Sequence, residues 1–273
     1  MGLRRFILWT AIFAAPAFAA RNPGEPLRPG FNLLSKQQDV QLGQEAAQQV
    51  RQKYQVARNP FLQDYIKRVG ERLAATPDAR DSGFHFTFTV LQDPQVNAFA
   101  LPGGPMFIFT GLLKTVDNEA ELAGVMSHEM SHVILRHGTH EASKAEFVEI
   151  PAALLGLAAG HSIMGRLANL GLGFAANSYI RKFSRDAESE ADALGAHIMA
   201  EAGYDPVELA RFFRKLENPG GQGNSRLAQF LSDHPNPGNR VRAIEEEAAT
   251  LPRRGYGYET GGFPRAKADV MSL

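Results

Sequence analysis

The sequence predicts an α+β domain, mostly helical, with one small antiparallel sheet, and three observations predict it. Apolar residues recur at helical spacing over several long stretches, one short stretch alternates with the period of a strand, and two histidines stand four residues apart where caps and charges mark a helix. The chain has 273 residues, 44% of them hydrophobic, enough for one main core of ordinary size. With 29 basic and 29 acidic residues the formal net charge is zero, and nothing in the composition marks a nucleic-acid partner.

The chain opens with two arginines, Arg4 and Arg5, then an apolar run of about a dozen residues and the small-x-small pattern Ala17-Phe18-Ala19. This reads as a secretory signal peptide over residues 1–19; the run is short for a bilayer span and contains Pro16. Its removal takes away two arginines and no acid, leaving a slightly acidic chain. An exported chain without cysteine has no disulfides, and a bacterial periplasm is the expected address. Residues 20–34, rich in Pro, Gly and Arg, read as an extended leader to a domain over 35–250.

The domain begins with two amphipathic helices, SKQQDVQLGQEAAQQVRQKY and NPFLQDYIKRVGERLAAT, expected to pack on the core from one side. In GFHFTFTVL, Phe84, Phe86, Phe88 and Val90 alternate with His85, Thr87 and Thr89, a strand with one face buried and His85 on the polar face. Two further short strands, Asn97–Leu101 and Met106–Thr110, flank the turn Pro102-Gly103-Gly104-Pro105. The next helix takes Asp117 as its cap, Glu119 and Glu121 at its positive start, Arg136 and His137 at its negative end, and Gly138 as its terminator.

Residues 150–178 are apolar but full of Gly and Ala, and are broken by His161, Arg166 and Asn169. They suit a segment covering the site, a peripheral membrane or envelope-assembly contact, or plain core packing. SRDAESEADALGAHIMAEAG is another helix, closed by Gly203; Asp205 and Pro206 open the one after it, and a short helix near HPNPGNRVRAIEEEAATL ends the structured part. Residues 251–273 read as a loosely attached tail.

The chemistry lies in HEMSH. On a helix, residues i and i+4 share a face, so His128 and His132 can present two imidazoles to one metal ion. Glu129 is rotated by about 100° from His128, better placed to hold a water than to ligate. The metzincin third histidine is missing: Gly138 stands at that position, and Leu135 where that motif needs glycine. His137, about 140° around a continuous helix from His132, is expected to point elsewhere.

The better third ligand is Glu188 in ESEAD, with Asp192 one turn on to hold the far nitrogen of a ligand histidine. Glu190, about 200° from Glu188, is assigned to a solvated side with His197 and Glu201. A His₂Glu set favours Zn²⁺, one per chain, and leaves a position open for a water whose proton Glu129 takes as it attacks a peptide carbonyl. His140 and His161 have no ligand spacing to a partner and are read as structural or exposed.

HEMSH and SRDAESEAD, with VNAFALPGG…TGLL before them and DHPNPGNR after them, closely resemble the HtpX/Ste24/Oma-type zinc metallopeptidase family, a gluzincin group, over residues 32–250. The likeness is strongest to its soluble secreted bacterial branch. It implies a zincin-like domain in which His128, His132 and Glu188 hold zinc, Glu129 is the general base, and polypeptides, misfolded or misassembled envelope proteins among them, are the substrates. The multi-span membrane region of two of its branches is not found, so prenyl-protein processing is not expected. His234, in the segment resembling the family's HP motif, is read in three ways: stabilising the oxyanion, reaching the metal and holding the enzyme idle, or a buried structural role. Arg240 is its companion, as transition-state or structural support. Asn97, Ala98 and Phe99 form a strand to which an extended peptide can add, with Asn97 either contacting substrate or anchoring the strand. A rival reading is a latent zincin acting as a chaperone-like or assembly-binding module.

Overall fold

The computed structural model describes residues 22–149, 183–217, 230–232, 234–235, 238–252 and 255–273. The expected signal peptide and the stretch 150–178 lie outside the described residues.

Helix α1, Lys36–Lys53, starts with a reciprocal capping box between Ser35 and Gln38. Helix α2, Pro60–Ala74, is capped by Asn59 with proline at its first position, and a short α3 covers Pro77–Asp81. The sheet follows, β1 Thr87–Leu91, β2 Ala98–Ala100 and β3 Pro105–Phe109, in spatial order β1-β3-β2. β2 and β3 form the expected antiparallel pair around Gly103 and Gly104, both at positive φ, but β1 lies parallel to β3. The sheet is therefore mixed rather than antiparallel. The β2–β3 hairpin folds back so that β3 inserts between its two predecessors and runs in the direction of β1.

That insertion explains a second difference. β3 is apolar on both faces: Met106 and Ile108 join the main core, while Phe107 and Phe109 pack with Ala46, Ala47 and Val50 of α1. Helices α1 and α2, expected on one side, cover opposite faces of the sheet. Each buried aromatic or aliphatic side chain there contributes about 1.5–3 kcal/mol, which a sheet with one open face would forgo.

Helix α4, Thr110–Thr115, leads into the central helix α5, Glu119–Ile134. Its cap is Asn118, whose side chain accepts from the N–H of Glu121, and not the neighbouring Asp117, which pairs with Lys215. From Glu121 to Val133 every residue of α5 is buried, so its polar side chains must find partners inside the protein. α5 ends at Ile134; Leu135 caps it and Arg136 turns left-handed at φ 57°. Helix α6, His137–Glu149, starts immediately, so Gly138 lies inside a new helix and does not close the old one. The break is held from outside: Arg136 donates to Asp39 at 2.5 Å and to the carbonyl of Leu34 at 2.6 Å.

Helix α7, Arg185–Ala202, capped by Ser184 and closed by Gly203 at φ 87°, packs along α5. The approach is closest at Gly195, where a Cβ would stand 3.2 Å from the backbone nitrogen of His128. Helices α8, Val207–Glu217, and α9, Arg240–Thr250, complete the layer.

The tail is not loosely attached. Residues Phe263–Met271 form helix α10, which packs on α4 and α2 with Ala266 and Val270 buried. Lys267 donates to the carbonyls of Lys114 and Val116, and Thr260 donates to the buried Glu119. The sequence alone reads this segment as a tail because what fixes it is distant in the chain.

Candidate metal centre

His128, Glu129 and His132 project from the middle of α5, and Glu188 and Asp192 from the first two turns of α7, which lies against them. His234 arrives from the connection before α9. One donor atom each from His128, His132, Glu188 and His234 lies within 4.8 Å of the other three, and all four residues are buried.

The distances show how the donors converge. His128 Nε2 is 3.1 Å from His132 Nε2, 3.4 Å from Glu188 Oε2 and 3.4 Å from His234 Nδ1. Glu188 Oε1 is 3.5 Å from His132 Nε2 and 3.2 Å from His234 Nδ1. On the far side of the His128 ring, Nδ1 is 2.9 Å from Asp192 Oδ1, which leaves Nε2 facing the cluster. Arg240, the first residue of α9, donates to Glu188 at 3.0 Å and to Asp192 at 2.7 Å, with its guanidinium 3.5 Å above the Phe213 ring.

Glu129 stands beside this group. It accepts from the backbone N–H of Ala100, and its buried Oε1 has no hydrogen-bond partner of good geometry, His234 Nε2 lying 3.4 Å away. Burial pushes the Glu129 carboxyl above its ordinary range. Burial would raise Glu188 too, but the His234 and His128 rings outweigh it and hold this carboxyl well below. Burial, with His128 beside it, pushes His132 well below the ordinary imidazole range, which favours the neutral, lone-pair-bearing ring. Burial also opposes a charge on His128, yet Asp192 and Glu188 overcome it and lift this group to about 9.

These residues fit a divalent metal. Two imidazoles and an ionised carboxylate, with a third imidazole in reach, are a zinc-type donor set, and a buried carboxylate oxygen without a partner stands next to it. Such a concentration of buried polar groups has no packing rationale of its own.

The strand residues need one refinement. Asn97, Ala98 and Phe99 are all buried, Ala98 in the main core and Phe99 stacked on Phe107 at 5.2 Å. The backbone of Asn97 accepts from Phe109, and that of Leu101 donates to Pro105. By alternation the backbone groups of Ala98 and Ala100 face the outer edge, and among the described residues β2 pairs only with β3.

Three residues escaped the sequence reading. His137 does not point elsewhere: with α5 broken at Arg136, its Nδ1 comes within 2.8 Å of His132 Nδ1. Glu190, assigned to a solvated side, reaches His137 Nε2 at 3.1 Å. The Phe183 ring stacks on His132, centroids 3.9 Å apart and planes at 14°. Spacing on a continuous helix could have found none of them.

Two packed helices that bury a His-x-x-x-His pair, a glutamate and a further carboxylate around one point define a metallopeptidase-type site. The sequence matches peptidase family M48 over residues 60–248, and the chain belongs to that family. It is 33% identical over 223 residues to the mitochondrial metalloendopeptidase OMA1 of Schizosaccharomyces pombe, covering 80% of this chain and 64% of that protein. It is 32% identical over 244 residues to the beta-barrel assembly-enhancing protease of Escherichia coli K12, covering 86% of this chain and 49% of that protein. The chain thus spans between about half and two-thirds of these relatives. Among the described residues no helix is long and apolar enough to cross a membrane.

Proposed function

We propose that the chain is a zinc-dependent endopeptidase that hydrolyses peptide bonds in misfolded or misassembled proteins of the cell envelope. The observation that carries this is the buried convergence of His128, His132 and Glu188 with Glu129 beside it. Those three residues would hold the ion, and His128 is oriented by Asp192. Zinc supplies a Lewis acid that acidifies water and polarises the scissile carbonyl.

The chain's own residues do the rest. Glu129, its pKa raised and one oxygen without a hydrogen bond, takes a proton from the attacking water and returns it to the leaving amine. His234 Nε2 lies on the Glu129 side of the cluster, where a donor stabilises the oxyanion. Arg240 balances the charges of Glu188 and Asp192 and takes the structural-support role. An extended peptide adds to the outer edge of β2 through the backbone of Ala98 and the carbonyl of Ala100, beside Glu129, which holds the Ala100 N–H. Residues 1–19 route the enzyme to the periplasm.

A second reading is favoured by His234 Nδ1, which sits within the donor group itself. There it would fill the position a water needs, and the protein would be a latent zincin working mainly as an assembly-binding module.

The test is metal content and cleavage of unfolded casein by the chain without residues 1–19, beside Glu129→Gln and Glu188→Ala. The endopeptidase reading expects one zinc and cleavage in wild type, zinc without cleavage in Glu129→Gln, and neither in Glu188→Ala. Zinc in wild type with no cleavage moves the latent reading ahead; a cellular effect that survives Glu129→Gln does the same.

A further inference from the structure

Both ring nitrogens of His132 are engaged. Nε2 lies in the donor group, 3.1 Å from His128 Nε2 and 3.5 Å from Glu188 Oε1, while Nδ1 lies 2.8 Å from Nδ1 of His137. Two imidazole nitrogens at that distance make a hydrogen bond only if one carries a proton and the other a lone pair. A ligating Nε2 must be bare, so the proton of His132 is on Nδ1 and His137 Nδ1 accepts it. His137 in turn carries its proton on Nε2, where Glu190 Oε2 accepts it at 3.1 Å.

The ends of this chain fix its direction: a site that needs a lone pair at one end, a carboxylate that needs a proton donor at the other. His137 is buried, so neither nitrogen has water as an alternative, and the Glu190 side chain is 43% exposed. The Phe183 ring, stacked on His132, restricts rotation of the imidazole plane. The arrangement parallels Asp192 on His128, so α7 supplies the partner of each α5 histidine, directly for one and through His137 for the other.

Building the pair needs the break after α5. Arg136, left-handed and tied to Asp39 and Leu34, folds His137 back onto the preceding turn. Asn32 donates to Thr139, and Ser143 accepts from the N–H of Leu33, so the segment before α1 straps down the first turns of α6.

We infer that His137 and Glu190 are positioning residues for the metal centre: His137 holds His132 in the tautomer whose Nε2 faces the metal, and Glu190 holds His137 in the tautomer that accepts. This rests on the metal-site reading above and adds to it two residues that do not themselves ligate.

The test is zinc affinity of the metal-free full chain, by competition with a chromophoric chelator at one fixed pH, for wild type, His137→Ala, His137→Asn, Glu190→Ala and Glu190→Gln. Thermal unfolding of each metal-free form and ¹⁵N imidazole NMR of the His132 tautomer accompany it. His137→Ala is expected to weaken zinc binding about 10–100-fold and Glu190→Ala about 3–10-fold. Glu190→Gln and His137→Asn, whose amide oxygens can still accept, restore part of the loss. Glu190→Ala should leave the metal-free melting temperature unchanged while mixing the His132 tautomers.

A wild type that binds no zinc overturns the metal site and this inference together. A wild type that binds, with both alanine variants within about twofold of it, overturns the positioning role alone. A loss in Glu190→Ala that follows a lowered melting temperature and is not restored by Glu190→Gln also overturns it, giving the pair to the fold. If His137→Ala does not fold, the half-exposed Glu190 variants decide.

Discussion

Arg240 Nη2 lies 2.7 Å from Asp192 Oδ1, the same oxygen that is 2.9 Å from Nδ1 of His128. One carboxylate oxygen thus couples α9 to the central helix through α7. Arg240 also reaches Glu188 at 3.0 Å, so two buried carboxylates share one buried guanidinium.

Removing that cation should be felt first in the fold. A buried charge left without its partner costs about 3–5 kcal/mol, and Arg240→Ala leaves two carboxylates in that position. Arg240→Lys keeps the charge but has a shorter side chain and loses the flat contact of the guanidinium on the Phe213 ring, and should fall between wild type and alanine. Urea unfolding of the metal-free proteins measures this; an alanine variant within about 1 kcal/mol of wild type would show that the carboxylates protonate or rearrange at little cost.

Metal removal should act on activity and stability together. An ion that binds only the folded chain stabilises it by about 4 kcal/mol at a thousandfold excess over its dissociation constant. A chelator should therefore abolish casein cleavage and lower the melting temperature, and added zinc should restore both. In Glu129→Gln the thermal response to chelator should persist, because Glu129 is outside the four-residue donor group. If that variant loses the response, Glu129 holds the metal, and its assignment as proton carrier fails.

Much of this site was legible because it needs only helical geometry. His128 with His132 and Glu188 with Asp192 are both i, i+4 pairs, and a helix places each pair on one face whatever surrounds it. His137 was not legible, since its direction depends on the left-handed Arg136, held by Asp39 and Leu34 some hundred residues earlier in the chain. The mixed sheet escaped for a similar reason: the local pattern shows three strands and one hairpin, but the insertion of β3 beside β1 is a tertiary event. Capping missed by one residue, Asn118 for Asp117, because either side chain can accept and only the packed position of Lys215 separates them.

The carboxyl-terminal segment should be part of the folding unit. Thr260 donates to Glu119, which is fully buried, and α10 covers apolar surface on α2 and α4. Hydrogen bonds to a buried charge contribute about 1.5–3 kcal/mol each, so a chain ending at Thr250 should lose about 3 kcal/mol or more, even though the cut is far from the metal centre. Thr260→Ala should lose part of that, and chemical denaturation of the two gives the comparison. A truncated chain as stable as the full one would mean that α10 adds nothing to the core.

The same carboxylate sets an alkaline limit. Tyr65 and Tyr204 donate to Glu119 at 3.1 and 2.9 Å, and burial together with the charge of Glu119 pushes both phenols well above their ordinary range. The folded state therefore holds protons that the unfolded chain releases near pH 10. Their stabilising contribution is fully present below about pH 10 and declines as the pH rises toward the folded values, by up to about 2.7 kcal/mol per pH unit for the two groups. Of the six tyrosines, these two should ionise only as the helical circular dichroism collapses, in one transition followed by absorbance at 295 nm. Glu119→Gln removes the charge, and phenol ionisation should then begin at lower pH. If all six tyrosines titrate near pH 10 with the dichroism intact, the network around Glu119 is open to water and does not anchor the tail.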